Sequence, residues 1–369
     1  MVKKLLYLNG LAVFGAVLYH ASGWGFIAMF WWTDRYRPVS VPNFDQFGSV
    51  SYYGLRIIEQ LVTIGIPAFL FVSGFFLAFA TGRNRVTPGW NVILVRVKNL
   101  LIPYVLWSVI LLGLGIVTGQ ALSAGEFIVA ILTGRAADPY YFIPVLIQLY
   151  LIAPFLIPFA RARWPLLLAL TAALQFLVIG LRYVTIPGLN VPVLDPLLFL
   201  TRSFFFPGYV LFFTLGIVVG FHSQAIRDRL FRFRWALLIA TVVTFLLGLV
   251  EWELLARLSG KSWIGPKFSF VDQIFSILFI LVFLAFDSVS LPLNKWFNLL
   301  GTKSYGIYLV HSLVLIYTAK LIYRFAPLLL GMQLVYQILL VSLALAVPLV
   351  FMEIVNRSPL RRYYSLLFG

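Results

Sequence analysis

The chain has 369 residues, of which 62% are hydrophobic and only 11% are charged, and its mean hydropathy is +0.98. The few polar residues cannot cover the surface of a soluble domain, so this composition excludes a soluble enzyme and a soluble binding module. The formal charge of +16 is expected of a membrane protein whose cytoplasmic loops collect Lys and Arg, and the absence of cysteine excludes disulfides, thiolate metal sites and a cysteine nucleophile.

Apolar stretches of about 20 residues, the length that crosses about 30 Å of hydrocarbon, recur along the whole chain. The first stretch resembles a signal peptide but continues to Trp32 without a small-residue cleavage site, so we predict a retained helix. We predict an all-α polytopic membrane protein with about ten transmembrane helices in a single domain over residues 1–369, and with the lipid bilayer rather than nucleic acid as its partner. The predicted helices span residues 5–30, 51–80, 101–119, 141–160, 164–183, 204–222, 235–256, 269–286, 305–323 and 329–352.

The basic residues are distributed unevenly between the predicted loops. With the N-terminus inside, the inner segments hold seventeen of the 28 Lys and Arg residues and the outer segments hold nine. This asymmetry predicts that both termini are cytoplasmic. The segment from Leu122 to Ala137 is too short, and too polar at its end, to span, so we expect it to lie in the outer interface or to re-enter the membrane.

Among the ionisable side chains of the predicted helices, four stand out at membrane depth, where each costs about 3 kcal/mol on insertion scales: His20, Arg56, Glu59 and His311. Arg56 and Glu59 are three residues apart on one helix and can neutralise each other, so they form either a structural ion pair or part of a site. Asp272 lies close to the outer end of its helix, where we expect it to be solvated.

His20 lies fifteen residues after Leu5, about 22 Å along a helix, which places it in the middle or outer half of the membrane. A neutral imidazole can take a proton from a hydroxyl and later return it, as acyl transfer to an alcohol requires. The alternative is a buried histidine that only bridges two helices.

His311 follows Tyr305 and Tyr308 at spacings of three, so the three side chains line one side of the ninth predicted helix. We expect them to share one hydrogen-bonding cluster. A polar clamp between helices and a direct chemical role remain alternatives for His311.

Four local patterns carry a family resemblance. They are the end of the first helix, Val17–His20; the stretch Ile66–Leu77 with Phe-Val-Ser-Gly-Phe-Phe-Leu at its end; the stretch Arg96–Ser108; and the segment Ser304–His311. The segment from Tyr141 to Pro154 is similar to the fourth span of the same family. Together, and in this order across nearly the whole chain, they resemble the acyltransferase-3 family of membrane-bound bacterial O-acyl and N-acyl transferases.

The resemblance implies an acyltransferase of the bacterial inner membrane. Such an enzyme takes an acyl group, typically acetyl, from cytoplasmic acyl-CoA and transfers it to a hydroxyl of an extracytoplasmic glycan or lipid-linked sugar. Acyl-CoA, here acetyl-CoA, is a co-substrate, and no bound cofactor and no metal are implied. The acceptor and the acyl chain stay open, as does the choice between direct transfer and a covalent intermediate.

The sequence departs from the family at two positions. Asn9 stands eleven residues before His20, where the family usually has Arg or Lys; eleven residues turn a helix about 20° beyond three full turns, so the two positions share one face. Asn99 replaces the second Arg of the family's RxxR motif, which begins at Arg96, and Lys98 is the candidate substitute.

The resemblance and the intramembrane groups give working roles. His20 is the general base on the acceptor hydroxyl, and Asn9 or Arg56 orients the donor or stabilises the developing oxyanion. Glu59 holds Arg56 or His20 in place. The other candidates are His311 as a second catalytic residue, and Ser73 in an expected Ser-Gly break, Tyr141, Tyr305, Tyr308, Arg96 and Lys98 for substrate binding.

Basic residues near the inner end of the third predicted helix suit the phosphates of coenzyme A, because guanidinium groups make bidentate phosphate contacts. They are Arg83, Arg85, Arg96 and Lys98. Arg83 and Arg85 fit plain anchoring of a cytoplasmic loop equally well.

A second class of function uses the same polar residues without chemistry. In a polysaccharide exporter or a lipid flippase, His20, Arg56, Glu59 and His311 would line a pathway. A purely structural membrane scaffold would explain the hydrophobicity but not this intramembrane polar set.

Overall fold

A computed structural model describes residues 2–82, 86–186, 188, 191–264, 269–287 and 289–369. Within these residues every regular element is a helix and no β-strand occurs, which confirms the predicted all-α class. The α-helices are α1 (Val2–Phe30), α2 (Val50–Val62), α3 (Gly65–Thr81), α4 (Trp90–Val117), α5 (Ala124–Thr133), α6 (Phe142–Ala162), α7 (Trp164–Thr185), α8 (Val210–Arg232), α9 (Arg234–Leu258), α10 (Phe270–Ala285), α11 (Asn294–Thr302), α12 (Ser304–Phe325), α13 (Gln333–Arg357) and α14 (Tyr364–Phe368).

In the described part of the chain, nine helical segments are long and apolar enough to cross a membrane. They are α1, α2 with α3, α4, α6, α7, α8, α9, α12 and α13, and each corresponds to a predicted span. The remaining predicted span is α10, which has 16 residues and rises about 24 Å, less than the hydrocarbon thickness. The chain is therefore a multi-pass membrane protein, and its described residues form nine segments of spanning length and three shorter apolar helices, of which α10 corresponds to the tenth predicted span. The cytoplasmic location of both termini stays a prediction.

The second predicted span is two helices rather than one. The break falls between Val62 and Gly65, just before Pro67. Proline lacks an amide hydrogen and its ring clashes with the carbonyl four residues earlier, here that of Thr63, so the helix restarts at this point. The expected Ser-Gly break at Ser73 is wrong, because α3 continues through it to Thr81.

The glycine after Ser73 serves close packing. A β-carbon built on Gly74 would lie 2.1 Å from the carbonyl oxygen of Phe213 on α8, and one on Gly216 would lie 2.0 Å from the carbonyl oxygen of Phe71 on α3. Two glycines thus let the α3 and α8 backbones touch. Small residues at helix contacts are typical of membrane bundles, where packing replaces the hydrophobic effect.

Helix α1 lies at the centre of the bundle, in contact with α2, α3, α11, α12 and α13. The short α11, which the hydropathy pattern did not predict, packs along its first half. A β-carbon on Gly10 would lie 1.9 Å from the carbonyl oxygen of Phe297, and one on Gly301 would lie 2.0 Å from that of Leu6. This close approach fixes where α12 begins, and hence which residues of α12 face α1.

Helix α4 begins at Trp90, eleven residues before its predicted start. The hydropathy pattern predicted a later start because polar residues interrupt the first turns of α4, before its apolar stretch begins. Arg96 and Lys98 therefore lie on a helix. Because they are two positions apart, their side chains point to different sides of it.

Candidate active site

A cavity of about 1040 Å³ opens beside the second half of α1. We call it the His20 cavity. Its walls combine polar and aromatic side chains, among them His20, Trp24, Arg56, Glu59, Tyr141, Trp252, Trp263, Tyr308 and Ser312. The structure thus brings five of the predicted site residues, His20, Arg56, Glu59, Tyr141 and Tyr308, to one space.

His20 presents its imidazole to this cavity and is only partly buried. Its ring stands edge-on to that of Tyr19, with centroids 5.4 Å apart. It forms no hydrogen bond with any other described residue, so both ring nitrogens are available to a molecule in the cavity.

His311 lies next to His20 but does not line the cavity. Its side chain is fully buried, and the two imidazole centroids are 5.5 Å apart. The Nδ1 atom is 2.7 Å from the carbonyl oxygen of Tyr308, and since a carbonyl only accepts, Nδ1 carries the hydrogen and donates it. Nε2 is buried without a partner among the described residues, which leaves one acceptor nitrogen unsatisfied beside His20.

Arg56 and Glu59 form a buried ion pair on α2. The carboxylate also accepts a hydrogen bond from Ser22 on α1, 3.4 Å away. The Arg56 guanidinium carbon lies 3.6 Å from the centroid of the Trp252 ring. The cation is thus held between a carboxylate and an aromatic face, both of which stabilise its charge in a low dielectric.

Asp272 is buried, and the expectation that it is solvated is wrong. Its carboxylate accepts a hydrogen bond from Gln60 at 2.9 Å and another from the backbone N–H of Ser269 at 3.1 Å. Ser269 in turn caps the start of α10. Asp272 ties α10 to α2 on one wall of the His20 cavity.

A second, smaller cavity of about 290 Å³ lies where α4, α12 and α14 meet, and we call it the Arg96 cavity. Its lining includes two cations, Arg96 and Lys303. Arg96 donates to the carbonyl oxygen of Phe76 at 3.3 Å, and Lys303 donates to the hydroxyl of Tyr364 at 2.8 Å. Neither forms an ion pair with a carboxylate of the described residues.

The basic cluster expected near Arg96 has a different second member in the structure. Lys98 is exposed and lines neither cavity, whereas Lys303, from a distant part of the sequence, does. Lys303 directly precedes the Ser304–His311 pattern, and this position was the feature of the sequence that could have identified it as a site residue. Arg83 and Arg85 lie outside the described residues.

Tyr305 and Tyr308 are one turn apart on α12 and belong to different cavities. Tyr305 lines the Arg96 cavity and donates to the carbonyl oxygen of Leu100 at 2.5 Å. Tyr308 lines the His20 cavity and donates to the carbonyl oxygen of Pro139. The expected single cluster with His311 does not form, because each hydroxyl donates to a different segment of backbone.

Two predicted residues lie away from His20. The Asn9 side-chain amide donates to the carbonyl oxygen of Gly301 at 3.0 Å and to the hydroxyl of Ser304 at 2.7 Å, so it joins α1 to the start of α12. Ser73 is partly buried on α3. Neither side chain lines either cavity.

Comparison with known proteins gives one family and one group of relatives. A family model described as an acyltransferase domain, acyltransferase-3, matches residues 4–353, which confirms the resemblance seen in the sequence. Proteins of Staphylococcus aureus named probable poly-beta-1,6-N-acetyl-D-glucosamine export protein are similar: that of strain MSSA476 is 24% identical over 265 residues, and that of strain MRSA252 is 25% identical over 269 residues, each covering 70% of this chain and 71% of the relative. No solved structure gives a significant match.

Proposed function

The chain belongs to the acyltransferase-3 family, and we propose that it transfers an acyl group, typically acetyl, from cytoplasmic acyl-CoA to a hydroxyl of an extracytoplasmic glycan or glycolipid in the bacterial inner membrane. One observation carries this proposal. The His20 imidazole forms no hydrogen bond with a described residue, faces a large cavity inside a membrane bundle, and has a second imidazole, that of His311, next to it.

His20 acts as the general base in this mechanism. It accepts the proton of the acceptor hydroxyl while the hydroxyl oxygen forms a bond with the thioester carbonyl carbon. The carbon–sulfur bond then breaks, and the imidazolium returns the proton to the thiolate, which leaves as free thiol. The Arg56 guanidinium, held by Glu59, has further N–H groups with which to stabilise the negative charge on the carbonyl oxygen.

The Arg96 cavity receives the donor. Arg96 and Lys303 supply two positive charges that form no ion pair within the described part of the chain, which suits the phosphates of coenzyme A. The start of α12 faces the same space and adds the partial positive charge of a helix N-terminus. Tyr305 lines this cavity, one turn of α12 before Tyr308, which lines the His20 cavity.

The His20 cavity receives the acceptor. Trp24, Trp31, Trp252 and Trp263 contribute to its lining, and flat indole rings pack against the apolar faces of sugar rings. The relatives are named for export of a polysaccharide of N-acetylglucosamine, which supports a surface polysaccharide or its lipid-linked precursor as the acceptor class.

The test is a reconstitution of the purified chain in liposomes with radiolabelled acetyl-CoA inside and candidate glycans outside. We expect label on the glycan with the native sequence, and its loss in His20→Ala. His222→Ala is the matched control, since this third histidine lies at a kink of α8, 2.9 Å from the Ala160 carbonyl oxygen, and lines neither cavity. Undiminished transfer by His20→Ala would contradict the proposed mechanism.

The names of the relatives favour one alternative, export of the polysaccharide without chemistry. Under that alternative the liposomes would move labelled glycan across the bilayer without consuming acetyl-CoA, and the His20 cavity would be a transport pathway. Glycan movement with no acyl transfer to any acceptor would support the exporter.

A further inference from the structure

We infer that Tyr140 and Tyr308 form a seal between the two cavities and so determine whether the acyl group reaches the acceptor or is lost to water. The effect on the acyl group rests on the proposed function. The seal itself, a barrier between two separately accessible cavities, does not depend on the proposed function. The seal does not require either tyrosine to donate a proton to the substrate or to accept one from it.

The two cavities are displaced from each other along the helices that they share. Where the chain enters α6, Tyr141 lines the His20 cavity, and further along the helix Tyr150 lines the Arg96 cavity. Along α12 the order is reversed, with Tyr305 in the Arg96 cavity followed by Tyr308 and Ser312 in the His20 cavity. Only one turn of α12, a rise of about 4.5 Å, separates Tyr305 from Tyr308, so the partition at this point is thin.

A pair of crossed hydrogen bonds holds this thin partition. The hydroxyl of Tyr308 donates to the carbonyl oxygen of Pro139, and the hydroxyl of Tyr140, the next residue, donates to the carbonyl oxygen of Leu309 at 2.6 Å. The two rings are nearly parallel, at 25°, with centroids 6.3 Å apart. Both side chains are buried, so two stacked rings and two bonds join α12 to the turn that precedes α6.

Further tyrosines extend the partition. The ring of Tyr104 on α4 is 5.7 Å from that of Tyr140, and its hydroxyl donates to the carbonyl oxygen of Ile131 on α5. The hydroxyl of Tyr305 donates to the carbonyl oxygen of Leu100 on α4. Each hydroxyl donates its hydrogen bond to a backbone carbonyl rather than pointing into a cavity. The apolar ring faces therefore lie between the cavities and exclude water from the partition.

The seal has a chemical consequence for a thioester held in the Arg96 cavity. In transfer, an acceptor oxygen bonds to the acyl carbon, the carbon–sulfur bond breaks, and the acceptor proton passes through the imidazole to the thiolate. In hydrolysis, a water oxygen takes the acceptor's place, and a carboxylic acid and a free thiol are released. A closed seal keeps the water of the larger cavity from the thioester, and a brief opening lets the acyl arm reach His20.

The first test is the ratio of acetyl-CoA hydrolysis to acyl transfer in liposomes. Tyr140→Phe and Tyr308→Phe each remove one hydrogen bond of the seal and keep the ring, so we expect the ratio to rise about fivefold. Tyr336→Phe is the matched control, because Tyr336 is fully buried, has no hydrogen-bond partner among the described residues, and lines neither cavity. An unchanged ratio in both seal variants, with transfer intact, would overturn the inference.

The second test does not depend on enzymatic activity. The sequence has no cysteine, so Thr302→Cys reports on the Arg96 cavity and Ser203→Cys on the His20 cavity. We expect a membrane-impermeant maleimide to label the two variants from opposite sides of the vesicle, and the addition of Tyr308→Ala to Thr302→Cys to permit labelling from the Ser203 side.

The results separate the two proposals. Labelling of both cysteine variants from the same side, without a seal mutation, would refute the seal even if the protein transfers acyl groups. Labelling from opposite sides in a protein that never transfers an acyl group would support the seal and contradict the proposed function alone.

Discussion

The buried imidazole of His311 lies behind the cavity-facing imidazole of His20, with ring centroids 5.5 Å apart and ring planes at 45°. The two side chains come from α1 and α12, which are almost 300 positions apart in the sequence. They form a pair of one buried and one cavity-facing imidazole, in which one nitrogen, Nε2 of His311, has no partner among the described residues.

The first prediction distinguishes the roles of the two ring nitrogens of His311. Asparagine keeps a donor near the position of Nδ1, which bonds to the Tyr308 carbonyl oxygen, but has nothing at the position of Nε2. Glutamine reaches the position of Nε2. If Nε2 orients His20 or its bound substrate, His311→Asn lowers kcat by up to about 100-fold, while His311→Gln retains more activity.

Steady-state acyl transfer in liposomes measures this difference, and the folded fraction of each variant is checked by size-exclusion chromatography in detergent. Equal kcat values for the native chain and His311→Asn would show that His311 serves only as a helix clamp.

The second prediction concerns the Arg56–Glu59 pair. Glu59→Gln leaves a buried guanidinium without its anion, and we expect a loss of about 3 kcal/mol in the free energy of unfolding. Removing both charges, in Arg56→Met with Glu59→Leu, costs less than Glu59→Gln alone because no uncompensated charge remains. The control is Glu353→Gln, which breaks the exposed ion pair with Arg357 and should change stability by less than about 1 kcal/mol.

Thermal unfolding in detergent measures stability, and acyl transfer by the double variant decides between the two roles of the pair. A double variant that is stable but inactive identifies the pair as part of the site. Retained activity identifies it as structural.

The third prediction concerns the second cation for the donor. Lys303→Met removes the charge in the Arg96 cavity but keeps most of the side-chain volume, and we expect the KM for acetyl-CoA to rise about tenfold with little change in kcat, since a charge-assisted contact to phosphate is lost. Lys98→Met is the matched control, because Lys98 is exposed and outside the cavity. A larger effect at Lys98 than at Lys303 would restore the sequence-based assignment.

Much of the architecture followed from hydropathy alone. Apolar stretches of about 20 residues identify spans whatever the packing of the helices, and nine of the predicted segments correspond to helical segments of spanning length among the described residues. Single positions were harder. The restart after Thr63 required recognising the effect of Pro67 on the preceding turn, and α11 has too few apolar residues to stand out in a hydropathy pattern.

The candidate site was predictable only in part, for a physical reason. A charged or polar group inside a membrane helix is costly, so His20, Arg56 and Glu59 stand out in the sequence and do meet in one cavity. Lys303 and Tyr140 do not stand out, because a lysine near a helix end and a tyrosine near an interface are ordinary in membrane proteins. Their places depend on how distant helices pack.

The last prediction tests the close contact between α3 and α8. Gly74→Ala places a β-carbon about 2 Å from the Phe213 carbonyl oxygen, so α3 and α8 must separate, and we expect a loss of about 1 to 3 kcal/mol in the free energy of unfolding. Gly113→Ala on α4 is the matched control, because no atom of the described residues that could clash lies within 4 Å of the added β-carbon, and alanine favours a helix over glycine. Thermal unfolding of the two variants in detergent measures the difference. Since the contact is between two backbones, no side-chain rearrangement can relieve it. A Gly74→Ala variant as stable as Gly113→Ala would show that the backbones of α3 and α8 are not in contact at Gly74.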